Sequence, residues 1–299
     1  MKRRTFIKNS LLATTALTLP PQFPAPAQNR MNTDRLVVKV SGESPFELTR
    51  RAVAELGGMN RFVSKQDVVM VKPNIGWNRT VEQAACTNPE VVRALVEMAL
   101  AAGARKVIVM DNTCHQAEET YQRSGIAEAA RRAGAEIRFP DDNRLTRYDF
   151  KGEILGRWPV YADYLEVDKF INVPILKHHG SSGLTIAMKN LYGIAGGNRG
   201  KLHRDMGENI ADMARGFRSH LVVVDAYRVL RRNGPVGGRL SDVELKKTII
   251  ASADIFHADV VAADLFGIDP RQVEFLQAGF SRKMGEIDIA KIQLKALTA

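Results

Sequence analysis

The chain has 299 residues, of which 45% are hydrophobic and 25% charged, and its formal net charge is +10. These proportions are those of an ordinary globular protein, and the length allows one large domain or two small ones. Aromatic residues make up only 7% of the chain and do not interleave with a basic stripe, which argues against a nucleic-acid binder. Two cysteines cannot supply the four ligands of an iron–sulfur cluster.

The first 27 residues have the order of features of an export signal. Arg3-Arg4 is followed by Thr5-Phe6-Ile7-Lys8, a close match to the twin-arginine consensus, and then by the mildly apolar stretch 11–19. Small residues in Ala25-Pro26-Ala27 suit signal peptidase. We therefore expect a twin-arginine signal peptide at 1–27, the twin-arginine translocase as a partner, and a mature protein in the periplasm or another extracytoplasmic space. No apolar run after residue 27 is long enough to span a membrane.

Strands and helices alternate along the rest of the chain, and several helices are followed by glycine. Asn88 is a suitable N-cap and Pro89 a suitable first helical residue, while apolar runs without alternation indicate strands buried on both faces. The predicted elements are strand 36–40, helix 45–56, strand 67–71, helix 88–102, strand 106–110, helix 126–133, strand 136–139, strand 169–173, helix 184–192, strand 221–224, strand 248–251 and helix 256–266.

This order predicts an α/β fold, with a mostly parallel sheet flanked by helices and built from Rossmann-like βαβ units. We expect residues 28–299 to form a single domain. The polar, irregular segment 140–165 is the one weak boundary at which two lobes would separate.

Polar side chains follow the predicted strands, where ligands of open α/β sheets bind. Lys72 and Asn74 follow one strand, Asp111 follows the next, and Asp225 follows a later one. The stretch 175–203 is the densest in such residues. It contains Lys177 and His179, a Gly-Ser-Ser-Gly loop with Ser181 and Ser182, Thr185 and Lys189 on the predicted helix 184–192, and His203.

Small residues and backbone N–H groups at a helix start suit a phosphate or carboxylate, and Thr185 and Lys189, four residues apart, would share one helix face. A small anionic ligand is therefore expected, although each feature alone is also typical of an ordinary loop or a solvent-facing lysine. Metal binding by His179, His203, Asp111 and Asp225 is an open alternative, without the tight spacing of a known metal motif. Cys86 and Cys114 are compatible with a disulfide, with reactive or metal-binding thiols, or with buried free thiols.

Several motifs together resemble the family called domain of unknown function 362. They are 71–74 (VKPN), 87–92 (TNPEVV), 102–107 (AGARKV), 172–179 (NVPILKHH), 185–193 (TIAMKNLYG), 202–203 (LH), 225–226 (DA), 233–238 (NGPVGG) and Asp264. The resemblance covers about residues 36–270. Many members of the family carry ferredoxin-type cysteine motifs, which this chain lacks. A weaker similarity to nickel-dependent lactate racemases rests only on the general order of a helix start, a strand entry and lysine–histidine sites.

The resemblance implies that a K-x-H motif at Lys177 and His179 and a Lys-Asn pair at Lys189 and Asn190 line the site. We expect an exported protein that depends on an unidentified metal or small anionic cofactor and acts on a small anionic molecule; a binding or assembly protein without chemistry is the alternative. The expected catalytic residues are Lys177, His179, Lys189 and His203. The expected ligand-binding residues are Lys72, Asn74, Ser181, Ser182, Thr185, Asn190, Asn233 and Gly234.

Overall fold

A computed structural model describes residues 34–299, so the predicted signal peptide lies outside the described residues. The strands are β1 (Val37–Ser41), β2 (Val68–Pro73), β3 (Lys106–Val109), β4 (Glu136–Ile137), β5 (Leu145–Asp149), β6 (Arg157–Tyr161), β7 (Lys169–Val173), β8 (Ile175–His179), β9 (Gly183–Thr185), β10 (Leu221–Leu230), β11 (Val243–Ser252) and β12 (Leu294–Thr298). The α-helices are α1 (Pro45–Glu55), α2 (Pro89–Ala101), α3 (Ala117–Arg123), α4 (Ile126–Arg132), α5 (Ala187–Asn190), α6 (Met206–Gly216), α7 (Ile255–Phe266) and α8 (Glu274–Ser281).

One mixed sheet organises the molecule, in the order β12-β1-β11-β10-β7-β2-β3-β4, with the β8–β9 hairpin attached to β10. Neighbours from β10 through β4 run parallel, and antiparallel pairs occur at β1–β11, β11–β10 and β8–β9. The predicted α/β fold with a mostly parallel sheet is therefore confirmed. Among residues 34–299, no helix combines the length and apolar character that crossing a bilayer requires.

Both faces of the sheet are covered, because alternate strand residues enter two separate cores. Met70 belongs to the core on the side of α5 to α8, whereas its neighbours Val69 and Val71 belong to the core under α1, α2 and α4. Burial on both faces explains why these strands are continuously apolar. Because both faces are buried, polar side chains of the sheet can cluster only at the ends of the strands.

The start of α2 agrees closely with its sequence signals. The side chain of Asn88 accepts a hydrogen bond from the Glu90 N–H at 3.0 Å, and Pro89 is the first helical residue. The buried Asp225 accepts from the Asn88 N–H at 2.7 Å and from the Tyr227 N–H at 3.0 Å. Asp225 therefore holds the start of α2 to β10.

The predicted helix 184–192 is wrong in its first part. Residues 183–185 form β9, which pairs with β8 so that Thr185 faces Lys177 and Gly183 faces His179. The helix itself is the single turn of α5, followed by the 3₁₀ turn Leu191–Ile194. Thr185 and Lys189 thus do not share a helix face, and the argument from their spacing fails. Strand pairing outweighed the helical period because β8, which is paired with β10, also pairs with residues 183–185.

Segment 140–165 contains structure that the sequence did not reveal. It forms the β5–β6 hairpin, and Val160 of β6 bridges to Ala195. The indole of Trp158 donates to the carbonyl of Gly196 at 3.1 Å, and the Tyr148 hydroxyl donates to the carbonyl of Gly216 at 2.8 Å. These contacts tie the hairpin to the segment after α5 and to the last residue of α6. The described residues belong to one compact unit.

The short helix α5 is held from behind by one carboxylate. Asp259 of α7 is fully buried, and its two oxygens accept the N–H groups of Ala187 and Met188, both at 2.8 Å. Burial raises the pKa of Asp259 to about 8, although the two N–H donors oppose the shift. A four-residue helix has little stability of its own, so this anchor sets where Lys189 and Asn190 lie.

Asp259→Ala should therefore lower the free energy of unfolding by about 3 kcal/mol, because two buried N–H groups lose their acceptor. Asp264→Ala, on the exposed side of the same helix, is the matched control and should change stability by less than about 0.5 kcal/mol. Urea unfolding of both variants measures the difference. Equal stability of the two variants would show that the carboxylate is not the anchor of α5.

Candidate functional site

A pocket of about 360 Å³ opens at the carboxyl end of the parallel strands. Its wall comes from the segments after β2 and β3, from the β8–β9 hairpin, and from the segment 189–203. Strands β7 and β2 are neighbours in the sheet, but the chain leaves them in opposite directions. From β2 it continues to β3, next to β2 on the far side from β7, whereas from β7 it continues through β8 to β10, next to β7 on the far side from β2. Such a divergence of connections creates the crevice in which open α/β sheets bind ligands.

A buried ion pair forms the floor of the pocket. The Nζ of Lys72 lies 2.6 Å from Oδ1 of Asp111, and both side chains are almost fully buried. The other oxygen of Asp111 accepts the Ile75 N–H at 2.6 Å. Burial lowers the pKa of Lys72, and the neighbouring Asp111 carboxylate opposes that shift. Gly193 packs directly above, where an added Cβ would lie 2.0 Å from Asp111 Oδ1, so this position leaves no room for a side chain.

Lys177 lies in the wall with part of its hydrogen-bonding capacity unused. Its Nζ donates to Asn74 Oδ1 at 3.0 Å and to the carbonyl of Ala85 at 2.5 Å. Asn74 in turn donates to Asn190 Oδ1 at 3.0 Å, which fixes the orientation of both amides. An ammonium group has three donors, so one remains. Burial lowers the pKa of Lys177 to about 8.

Lys189 is the least satisfied cation of the site. Its residue is only 8% exposed, and among residues 34–299 its Nζ has neither a hydrogen-bond acceptor nor a carboxylate partner. The amino group lies over the ring of Tyr192, 3.9 Å from the centroid, a contact that favours the ammonium form. Burial nevertheless lowers the pKa of Lys189 to about 7. The nearby Cys114 opposes this shift, whereas the charges of Arg199, Lys177 and Lys72 add to it.

His179 is held as a neutral imidazole. Its Nδ1 accepts the N–H groups of Ser181 at 3.2 Å and Ser182 at 3.3 Å, which leaves the proton on Nε2. Burial lowers the pKa of His179 to about 3, and the charge of Lys189 adds to the shift. The turn between β8 and β9 thus fixes the tautomer, and the remaining Nε2–H is a hydrogen-bond donor in the pocket wall.

Arg199 supplies the third cation with unused donors. It donates to the carbonyls of Asn112 at 3.1 Å and Thr113 at 3.0 Å, which leaves three of its five N–H groups free for a ligand. The exposed His203 places its Nδ1 3.2 Å from the Arg199 carbonyl. Both cysteines are free thiols, Cys86 buried and Cys114 exposed in the wall of the pocket.

The structure brings most of the sequence-predicted site residues together. The residues of that set in the pocket wall are Asn74, Asp111, Lys177, His179, Ser181, Thr185, Lys189, Asn190 and His203. Lys72 lies beneath the wall in the ion pair. The buried hydroxyl of Ser182 donates to the carbonyl of Leu184 at 2.8 Å, and Asn233 and Gly234 contact Asp242 and His178 in the loop behind the hairpin. Sequence reasoning did not place Arg199 or Tyr192 at the site, although Tyr192 lies within the motif 185–193.

The four expected metal ligands do not form one cluster. Asp225 is committed to the start of α2 and Asp111 to Lys72, while Nδ1 of His179 accepts two backbone N–H groups. Across residues 34–299, no group of three or more His, Cys, Asp or Glu side chains is arranged to hold a metal ion. Within the described residues, the four expected ligands are therefore not arranged as a metal centre.

A family model described as a domain of unknown function (DUF362) matches residues 69–264. The chain belongs to this family. The match includes the strands β2, β3 and β7 and the whole segment that forms the pocket, so the site described above lies inside the family domain.

Individual relatives are more distant. The thylakoid-associated protein sll1697 of Synechocystis sp. is 26% identical over 237 residues, which are 77% of this chain and 72% of that protein. Among solved structures, the lactate racemase apoprotein of Thermoanaerobacterium thermosaccharolyticum gives a TM-score of 0.49 at 10% identity and a Thermotoga maritima protein one of 0.39 at 13%. The alignments cover 76% and 77% of this chain but only 56% and 61% of those proteins.

Lys189→Met should leave the stability of this family member unchanged or raise it at pH 7, because the variant removes a buried charge that has no carboxylate partner. The folded-state pKa of Lys189, about 7, lies below the unfolded value, so the unfolded chain binds more protons between pH 7 and about 10.4. The wild type gains stability as pH rises through this window. The advantage of the variant should thus be largest at or below pH 7 and disappear near pH 10, as measured by thermal unfolding.

The matched control is Lys72→Met, which should lose about 3–5 kcal/mol because Asp111 is left buried and unpaired. A Lys189 variant that is as unstable as the Lys72 variant would show that Lys189 has a structural partner after all.

His179 should remain a neutral imidazole with its proton on Nε2 down to about pH 4, because its pKa is lowered to about 3. ¹⁵N NMR of labelled protein, with the signals assigned by their loss in His179→Gln, reports the tautomer and the charge directly. An imidazolium signal of His179 at pH 6 would contradict the arrangement.

Proposed function

We propose that the pocket binds a small anion and that Lys189 exchanges a proton with it. The observation that carries this proposal is the amino group of Lys189, which is buried in the pocket wall and finds no acceptor within residues 34–299. A buried cation without a partner is costly, so the site gains stability when a ligand supplies the negative charge.

The other groups of the wall support an acceptor-rich ligand. Lys177 and Arg199 keep unused N–H groups, and His179 offers Nε2–H. The hydroxyls of Ser181 and Thr185 have no hydrogen-bond partner among the described residues. The carboxylate in the pocket wall, that of Asp111, is neutralised from below by Lys72. Carboxylates and phosphates are the ligands that such a set of donors recognises.

Proton exchange belongs to Lys189 in this proposal rather than to His179. A group with a pKa near the working pH is the more effective acid or base, and the pKa of Lys189 is about 7 whereas that of His179 is about 3. His179 instead acts as a neutral donor that orients the ligand. We therefore propose an enzyme that acts on a small anionic molecule, with Lys189 as its acid–base group.

The export signal expected at 1–27 supports a location outside the cytoplasm. Its support is the order of the paired arginines, the apolar stretch and the small residues before Gln28. We propose that the protein meets its ligand after export by the twin-arginine route.

Calorimetric titration with butyrate, a small carboxylate, tests anion binding. Binding should raise the pKa of Lys189, so the protein should take up a large fraction of one proton at pH 7.5 and almost none at pH 6, where Lys189 is already charged. Two amine buffers of different ionisation enthalpy reveal the uptake, since anionic buffers would compete for the pocket.

Lys189→Met should abolish the proton uptake and weaken binding by roughly tenfold or more, the value of a charge-assisted hydrogen bond. Lys201→Met, an exposed change outside the pocket wall, is the control and should bind as the wild type does. Binding without proton uptake, or uptake that survives in the Lys189 variant, would overturn the role of Lys189. Absence of butyrate binding would argue against the anion site.

A further inference from the structure

We infer that Lys189 is a nucleophile that forms an imine with a small carboxylate that also carries a carbonyl group, as in a 2-oxo acid. This inference deepens the proposed function and rests on it, because the carboxylate of the substrate would occupy the anion site. It is a statement about covalent chemistry that anion binding alone does not require.

The geometry around Lys189 meets the first requirement of an amine nucleophile, which is a free lone pair in a site that admits the substrate. Its Nζ faces a pocket of about 360 Å³, large enough for a small organic acid. Among the described residues, the amino group has no hydrogen-bond acceptor or carboxylate partner, and the ring of Tyr192 is the group that favours its ammonium form. A buried lysine among other cations is how proteins keep an amine neutral enough to attack a carbonyl.

Two cations beside Lys189 would hold the carboxylate while the amine reacts. Lys177 and Arg199 lie in the same wall, and each keeps N–H groups that bind nothing else in the described part of the chain. A substrate carboxylate on these donors brings the adjacent carbonyl carbon towards Lys189. The site needs a carboxylate and a carbonyl group in the same molecule. A 2-oxo acid has both, whereas a simple ketone or a simple acid has only one of them.

His179 supplies the remaining element, a neutral donor for the carbonyl oxygen. Its Nδ1 is occupied by the N–H groups of Ser181 and Ser182, so the ring can present Nε2–H alone. A hydrogen bond from this group polarises the carbonyl and stabilises the negative charge that develops on oxygen during attack.

The reaction balances without an oxidant or a reductant. The lone pair of Nζ forms a bond to the carbonyl carbon, and the π electrons move to oxygen, which takes a proton from nitrogen to give a carbinolamine. A second proton, from solvent in the open pocket, protonates the hydroxyl; the C–O bond breaks, water leaves, and a protonated imine remains. The net change is one proton consumed and one water released.

Reductive trapping with 2-oxobutyrate and cyanoborohydride at pH 7.5 tests the inference, because hydride converts the imine to a stable secondary amine. Peptide mass spectrometry should locate a single major adduct at Lys189. With a pKa of about 7 in the free protein, this residue holds roughly 600 times more neutral amine at that pH than an exposed lysine. A bound carboxylate raises that pKa, so the expected gain in labelling rate is smaller, about a hundredfold. Butanone, which lacks the carboxylate, should label Lys189 poorly, and butyrate, which lacks the carbonyl, should compete.

Lys189→Arg keeps the positive charge but cannot form an imine, since a guanidinium stays protonated. The variant should still bind butyrate and should lose the adduct, while Lys201→Met keeps it. Butyrate binding by the wild type together with no adduct at Lys189 would overturn the imine and leave the anion site standing. Failure of both measurements would overturn the two proposals together, and an adduct spread evenly over exposed lysines would overturn the imine alone.

Discussion

The chemistry of the pocket depends on the ion pair between Lys72 and Asp111. Asp111 lies in the pocket wall, and Lys72 beneath it takes up its negative charge at 2.6 Å. Without Lys72, Asp111 would carry an uncompensated negative charge in the pocket wall. Because Lys72 already neutralises Asp111, no negative charge of the described residues in the pocket wall balances the other cations there.

Side-chain amides, rather than ion pairs, connect the backbone segments that form the pocket wall. The side chains of Asn74, Asn190 and Asn172 form a chain of hydrogen bonds at 3.0 and 2.8 Å that joins the end of β2 to α5 and β7. An amide presents a donor and an acceptor, so such a chain links backbone segments without adding net charge. The neutral amides therefore position the cations without cancelling their charges. The repulsion between these cations is reduced only when an anionic ligand binds.

Much of the fold was predictable because local signals and burial agree there. The run from β2 through α2 to β3 combines an Asn88–Pro89 helix start with buried apolar strands, and the structure follows it closely. The β8–β9 hairpin was not predictable, since residues 184–192 have helical spacing and only pairing with β8 makes 183–185 a strand. The clustering of Lys177, His179 and Lys189 followed from strand exits and motif order. Their different roles did not. The acceptor of Lys177, the carbonyl of Ala85, lies in a distant segment, and the contact of Lys189 with the Tyr192 ring depends on the turn that follows α5.

The turn between β8 and β9 also determines which substitutions the site can tolerate. The two hydrogen bonds that fix the His179 ring come from backbone N–H groups, so the serine side chains at 181 and 182 take no part in them. Exchange of either serine for another small residue preserves the imidazole tautomer. Insertion or deletion of one residue in the turn moves both N–H groups away from Nδ1 and releases the ring. Across related chains, the spacing from the histidine to β9 is therefore a better marker of this site than the identity of the residues between them.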